Sequence, residues 1–133
     1  MSADLALQKA IHARLTADAA LAALVGSRIH DNVPGDAGLP YLTLGENETR
    51  DWPGGTEHRL SFHVFSRGQG RAEAKLVMGA VHAALDDAAL ALDGHALVNL
   101  RFLDAATRRE RDGATWRGTI RFRAVTEAVE YVP

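Results

Sequence analysis

At 133 residues the chain fits one compact domain, 1–133, and leaves no room for two. Its 47% of hydrophobic residues suffice for a real core, which speaks against a disordered tail, and the absence of cysteine excludes a disulfide scaffold, a thiolate zinc site and a cysteine nucleophile. A formal net charge of −2 speaks against a dedicated nucleic-acid binder, and the lack of any long apolar run or signal-peptide pattern leads us to expect a soluble protein made in the cytoplasm, with no membrane partner.

Leu5, Leu7, Ile11 and Leu15 recur at helical spacing and predict an amphipathic first helix with Lys9 and Arg14 outward. Asp18 reads as a new N-cap for the turn Ala19 to Val25, which Gly26 ends, so the helix is expected to bend near Thr16–Asp18. Residues 30–40, HDNVPGDAGLP, form a fixed loop, and Pro40 feeds an extended chain into the strand Tyr41 to Leu44. Residues 45–56 are either a long exposed loop or a continuation of that strand ending at Pro53-Gly54-Gly55.

Arg59 to Phe65 alternates, with Leu60, Phe62 and Val64 on one face and Ser61 and His63 on the other. After Gly68 and Gly70, the positions Ala72, Leu76, Ala80, Val81, Ala84 and Leu85 form a helical stripe that fades at Asp86-Asp87. Asp93-Gly94 marks a tight turn, Leu97 to Arg108 a long strand, and Asp112-Gly113 a second hairpin turn. In the last strand Trp116, Gly118, Ile120, Phe122 and Ala124 face one way, and Arg117, Thr119, Arg121 and Arg123 the other. The fold expected is α+β: one mainly antiparallel sheet of about four main strands with two helices packed on one face, in the order α-β-β-α-β-β, with a small extra hairpin before the third strand.

RGQGRAEAK (67–75) is the stretch that most resembles a phosphate cradle. It lacks the G-x-x-x-x-G-K-[ST] order that brings a lysine and a magnesium-binding hydroxyl to a nucleotide, and no third glycine completes a dinucleotide fingerprint. Gly68 and Gly70 then serve a strand-to-helix turn. The histidines are scattered: His58 and His63 are five apart and point to opposite faces of one strand, so no metal site is expected. No serine lies in a nucleophile elbow and no acid/base constellation stands out. No catalytic residue, cofactor or metal is therefore assigned, and the chain is expected not to be an enzyme.

Arg117, Arg121 and Arg123 are the most informative charged set. They are the wet side of a sheet, an interface to acids of a neighbouring subunit, or a DNA-tracking face that the net charge disfavours. Arg108, Arg109 and Arg111 enrich the adjoining hairpin tip. Trp52, in Asp51-Trp52-Pro53-Gly54-Gly55, is either a binding anchor or folds back on its own domain. These seven residues are the candidate subunit or tube interface.

The order of segments resembles the phage tail completion, or tail terminator, family of long-tailed phages and gene transfer agents. The resemblance rests on Leu15-Thr16-Ala17-Asp18 through Leu24-Val25-Gly26, Arg28-Ile29-His30-Asp31, Val33-Pro34 with Leu39-Pro40-Tyr41, and Phe65-Ser66-Arg67. Gly70-Arg71-Ala72-Glu73-Ala74, Leu85-Asp86 and Phe122-Arg123-Ala124-Val125-Thr126-Glu127 complete it. It spans nearly the whole chain through structural turns and strand patterns rather than reactive residues. It implies a homo-oligomeric ring, typically a hexamer, that caps the tail tube at its head-proximal end and docks onto the head connector. The implied partners are the tail tube protein and the head-tail connector or stopper protein. DNA would pass through the ring without sequence-specific binding. A connector or stopper of the same neck is the alternative, and a small ligand-binding α+β domain a third reading.

Overall fold

The computed structural model describes residues 1–68 and 70–129. The elements are α1 (Ala3–Thr16), α2 (Ala19–Val25), β1 (Ile29–His30), β2 (Tyr41–Trp52), β3 (Gly55–Arg67), α3 (Ala72–Leu85), β4 (Ala91–Leu92), β5 (His95–Arg109) and β6 (Thr115–Ala128). Six strands form one curled sheet in the order β1-β2-β3-β6-β5-β4. β1 pairs parallel with β2, and every other pairing is antiparallel.

Helices α1 and α2 begin where side chains satisfy the free amides of a first turn, whereas α3 starts after Arg71 without a side-chain cap. Ser2 Oγ accepts from Leu5 N at 3.2 Å to open α1, and Asp18 Oδ2 accepts from Leu21 N at 2.9 Å to open α2. Between them Thr16 Oγ1 bonds back to the carbonyls of His12 and Ala13, so the expected bend is a full break between two helices. Three helices are thus present where two were expected.

The helices lie on one face of the sheet. Leu7, Ile11 and Leu15 of α1, Leu21 and Val25 of α2, and Val77, Val81 and Leu85 of α3 meet Phe62, Val64, Leu100, Ile120 and Phe122 from the strands. Phe122 makes edge-to-face contacts with Phe62 (5.9 Å) and Phe102 (6.1 Å), the geometry aromatic quadrupoles favour. The buried stripe of α3 is Ala74, Val77, Met78, Val81, Ala84 and Leu85; Leu76 and Ala72 point to solvent, as does Leu5 of α1. The buried face of α3 thus lies to one side of the sequence stripe, because Ala80, Val81, Ala84 and Leu85 fit two overlapping faces.

The two additional strands are only two residues long. β1 is held by Leu42 N donating to Arg28 O at 3.0 Å and Arg28 Nε donating to Pro40 O at 2.8 Å, long-range contacts that no local pattern carries. Residues 45–52 continue β2 past a bulge between Leu44 and Asn47, and Pro53-Gly54 turns the chain into β3. The turns at Asp93-Gly94 and Asp112-Gly113 lie where the sequence puts them. Gly70, with φ 138°, takes the glycine-favouring geometry that leads into α3.

Candidate functional site

The face of the sheet away from the helices is open, and its polar side chains are organised by strand register. On β6, Arg117, Thr119, Arg121 and Arg123 stand on this face opposite Phe65, His63, Ser61 and Arg59 of β3. On the other side of β6 they stand opposite Arg108, Ala106, Asp104 and Arg101 of β5. With so many arginines side by side, the face holds together only if carboxylates intervene.

Glu57 is the main one. Its Oε2 accepts from Arg123 Nε at 2.8 Å, and its Oε1 accepts from Arg50 Nε at 2.7 Å and lies 3.5 Å from Arg59 Nε. Glu57 is 2% exposed although it lies on the outer face, because the guanidiniums themselves cover it and not a further layer of chain. The hydrogen bond from Arg123, reinforced by Arg50, holds this carboxyl below its ordinary value against a smaller opposing effect of burial. Sequence reasoning did not find Glu57. One signal was available: the two-residue turn Pro53-Gly54 fixes Arg50 opposite Glu57, a cross-strand ion pair.

Trp52 sits at the end of β2 rather than in a loop, and Arg123 stacks on its ring at 5.0 Å. Its ring packs against its own sheet through Arg123, while the residue remains 42% exposed. One guanidinium thus joins the ring to the carboxylate, which aligns Arg123 by two independent contacts.

The remaining arginines divide into paired and unpaired. Arg121 Nη1 donates to Asp104 Oδ1 at 3.1 Å. Arg117 Nε lies 3.2 Å from Glu110 Oε1, close as an ion pair but out of line for a hydrogen bond. Arg109 stacks on Trp116 at 4.9 Å and Arg71 on the same ring at 4.5 Å, so the arginine following Gly70 is committed to an indole. Arg108 and Arg111 have no ion-pair partner among the described residues. The structure therefore brings Trp52 and Arg123 together around Glu57, puts Arg117, Arg121 and Arg108 on the adjoining strands, and leaves Arg109 on the helix-facing Trp116.

The hairpin tip between β5 and β6 is locked by Asp112. Its Oδ1 accepts from Ala114 N (2.9 Å) and Thr115 N (2.8 Å), and its Oδ2 from Thr115 Oγ1 (2.7 Å). These bonds, the Thr115 hydroxyl first, bring its pKa down to about 2. The tip is a pre-formed projection.

A shallow concavity of about 420 Å³ runs across this face between Glu46 and Glu48 on β2 and Leu103 and Asp104 on β5, with Arg121 and His63 in its floor. His63 Nδ1 is 2.9 Å from Thr119 Oγ1, and burial lowers its pKa. His58 lies on the opposite, helix-covered face, fully buried, with Nε2 2.9 Å from Thr126 Oγ1 and Nδ1 3.7 Å from Asp4 Oδ1. Burial lowers its pKa and Asp4 opposes part of that. Among the described residues no group of three or more His, Asp or Glu side chains is placed to hold a metal ion, and no helix is long and apolar enough to cross a membrane.

What this face can do chemically is present a rigid, nearly charge-balanced set of side chains. Among the described residues most of its charges, outside Arg108, Arg111, Glu46, Glu48 and Glu127, are tied to a neighbour, which suits contact with another protein surface.

Residues 9–127 match the model of a protein family described as tail completion protein gp17. Among solved structures, a chain described as "Virion of native gene transfer agent (GTA) particle" is 37% identical, with a TM-score of 0.87 over 96% of this chain and 98% of that one. No curated protein matches the chain significantly. With a family model covering most of its length and a solved relative superposing from end to end, the chain belongs to the tail completion protein gp17 family.

Proposed function

We propose that the chain is a structural component of a virion or gene transfer agent particle, placed at the head-proximal end of the tail. There it assembles into a closed ring, hexameric in the arrangement the family resemblance implies, stops growth of the tail tube and joins the tail to the head connector. The observation that carries this reading is the end-to-end match, at 37% identity, to a chain of a gene transfer agent particle. Backbones that superpose over nearly the whole of both chains support a place for this chain in a particle of that kind.

The open face supports the same role. A closed ring repeats one heterologous contact around an axis, and a rigid face with a locked hairpin tip is suited to such a contact. Its arginines are largely answered by Glu57, Asp104 and Glu110, so a DNA molecule passing nearby would meet little free positive charge and would not be gripped. Native mass spectrometry of the protein, alone and mixed with tail tubes, tests the ring: a six-fold multiple is expected, and a monomer under both conditions would overturn it. Localisation in purified particles tests the position, since a subunit one layer nearer the head, out of contact with the tube, would make the protein a stopper.

A further inference from the structure

The sheet ends in two long unpaired edges. β1 covers only the start of β2, at Leu42 and Thr43, and β4 covers only the start of β5, at His95 and Ala96. Beyond these points the outer sides of β2 and β5 have no strand neighbour among the described residues. Leu42 N donates outward to Arg28 O, and Phe102 N outward to Asp86 Oδ1, which fixes the parity of each edge. Following the alternation of an antiparallel ladder past each bulge, Asn47, Thr49 and Asp51 on β2 turn their backbone groups outward. Ala105, Thr107 and Arg109 on β5 do the same. Glu110 N, which donates inward to Thr115 O, agrees with this parity.

We propose that neighbouring copies of this chain join by antiparallel pairing of the β5 edge of one copy with the β2 edge of the next, making one continuous sheet around the ring. The inference rests on the ring reading and adds the surface that closes it. Direction supports it: the run β2-β3-β6-β5 contains three antiparallel steps, so β2 and β5 point opposite ways. A rotation about an axis that runs along the strands keeps their direction, so in that arrangement the two edges meet antiparallel, the more stable ladder.

Charge supports it as well. Glu46 and Glu48 on β2 and Arg108 on β5 have no ion-pair partner among the described residues. Matching outward backbone groups allows registers that differ by two residues. One sets Asn47 opposite Thr107 and Thr49 opposite Ala105. It puts Glu46 beside Arg108 and Arg50 beside Asp104, two opposite-charge pairs on the open face. Sliding two residues one way sets Glu48 beside Arg108 but Glu46 against Glu110, and the other way sets Glu48 against Asp104; each leaves like charges facing each other, which destabilise a ladder. The register with Asn47 opposite Thr107 is the one selected. Free edges of this length are otherwise an aggregation hazard that proteins cover.

In this register Glu48 and Ala106 form a non-hydrogen-bonded pair, with Cα atoms about 4.5 Å apart, inside the span a disulfide bridges. The chain has no cysteine of its own. Glu48→Cys with Ala106→Cys, oxidised alone and with tail tubes, is expected to give a reducible ladder of covalent multimers on a denaturing gel. Ala105→Pro removes only an outward N–H and leaves the β6 ladder intact, so it should stay folded and lose the ring. Should that variant not fold, charge reversal still decides. Arg108→Glu should raise the concentration needed for assembly on the order of tenfold, and adding Glu46→Arg should restore it. Rings that form without a covalent ladder and tolerate both Ala105→Pro and Arg108→Glu would overturn the edge pairing while leaving the ring intact. A chain monomeric with and without tubes would fail the ring itself, and the edge pairing with it.

Discussion

On the helix-covered face of the sheet, Phe62, Ile120 and Phe122 lie under α1 and α3, each no more than 2% exposed. On the open face of the same strands, Arg59, Arg121 and Arg123 lie under nothing but one another, Trp52 and the carboxylates they hold. Alternation along β3 and β6 sends one residue to each face in turn, so a single strand serves both. The first face supplies the free energy of folding through apolar burial. The second contributes little net energy, because exposed ion pairs are weak, but it fixes the position of most of the charges that a neighbour would meet, leaving Glu46, Glu48 and Arg108 free to pair.

Substitutions should therefore separate the faces. The largest effect is expected for Phe122→Ala, which empties the contact of two other phenyl rings. A loss of about 3–5 kcal/mol in urea unfolding is expected, and a loss below about 1 kcal/mol would mean that the core does not depend on this ring. Glu57→Gln should destabilise less, and in a pH-dependent way. Because its folded pKa lies below the ordinary 4.5, the stabilisation by Glu57 is complete above that pH and is lost as pH falls through the lower folded value. The unfolding midpoints of parent and variant should converge in acid, and a constant gap down to pH 2 would contradict the Glu57 network.

Gly70→Ala places a side chain at φ 138° and should cost about 1 kcal/mol. It should remove no nucleotide affinity, and calorimetry showing nucleotide binding that the substitution abolishes would reopen the phosphate reading of this turn. The smallest effect belongs to His58. Its pKa is lowered in the fold, so its contribution is present in full above the ordinary 6.5 and falls away as pH drops from there through the folded value. His58→Gln should flatten the stability curve on that acid limb, and an unchanged slope would assign the dependence to other groups, His63 first.

Much of the helix-covered face was legible in the sequence, because burial leaves a period: two in β3 and β6, and 3.6 in the helices. The turns at Asp93-Gly94 and Asp112-Gly113 were legible for the same local reason, a backbone geometry that glycine accepts. Leu5 and Leu76 misled, since a leucine at the margin of a stripe can point either way. The open face was half legible. Its arginines are visible in Arg117, Arg121 and Arg123, but the carboxylate that holds Arg123 lies 66 residues earlier in the chain. Register brings Glu57 and Arg123 together, and register across β3 and β6 is set by the whole sheet. β1 escaped for that reason too, being two residues paired through Arg28 and Leu42.

The central claim, that this tail completion family member ends the tail tube, is tested most directly by the length of tails made without it. Deleting its gene and measuring tails by electron microscopy should give tubes of uncontrolled length, unattached to filled heads. Tails of normal length joined to heads in the deletion strain would contradict the account.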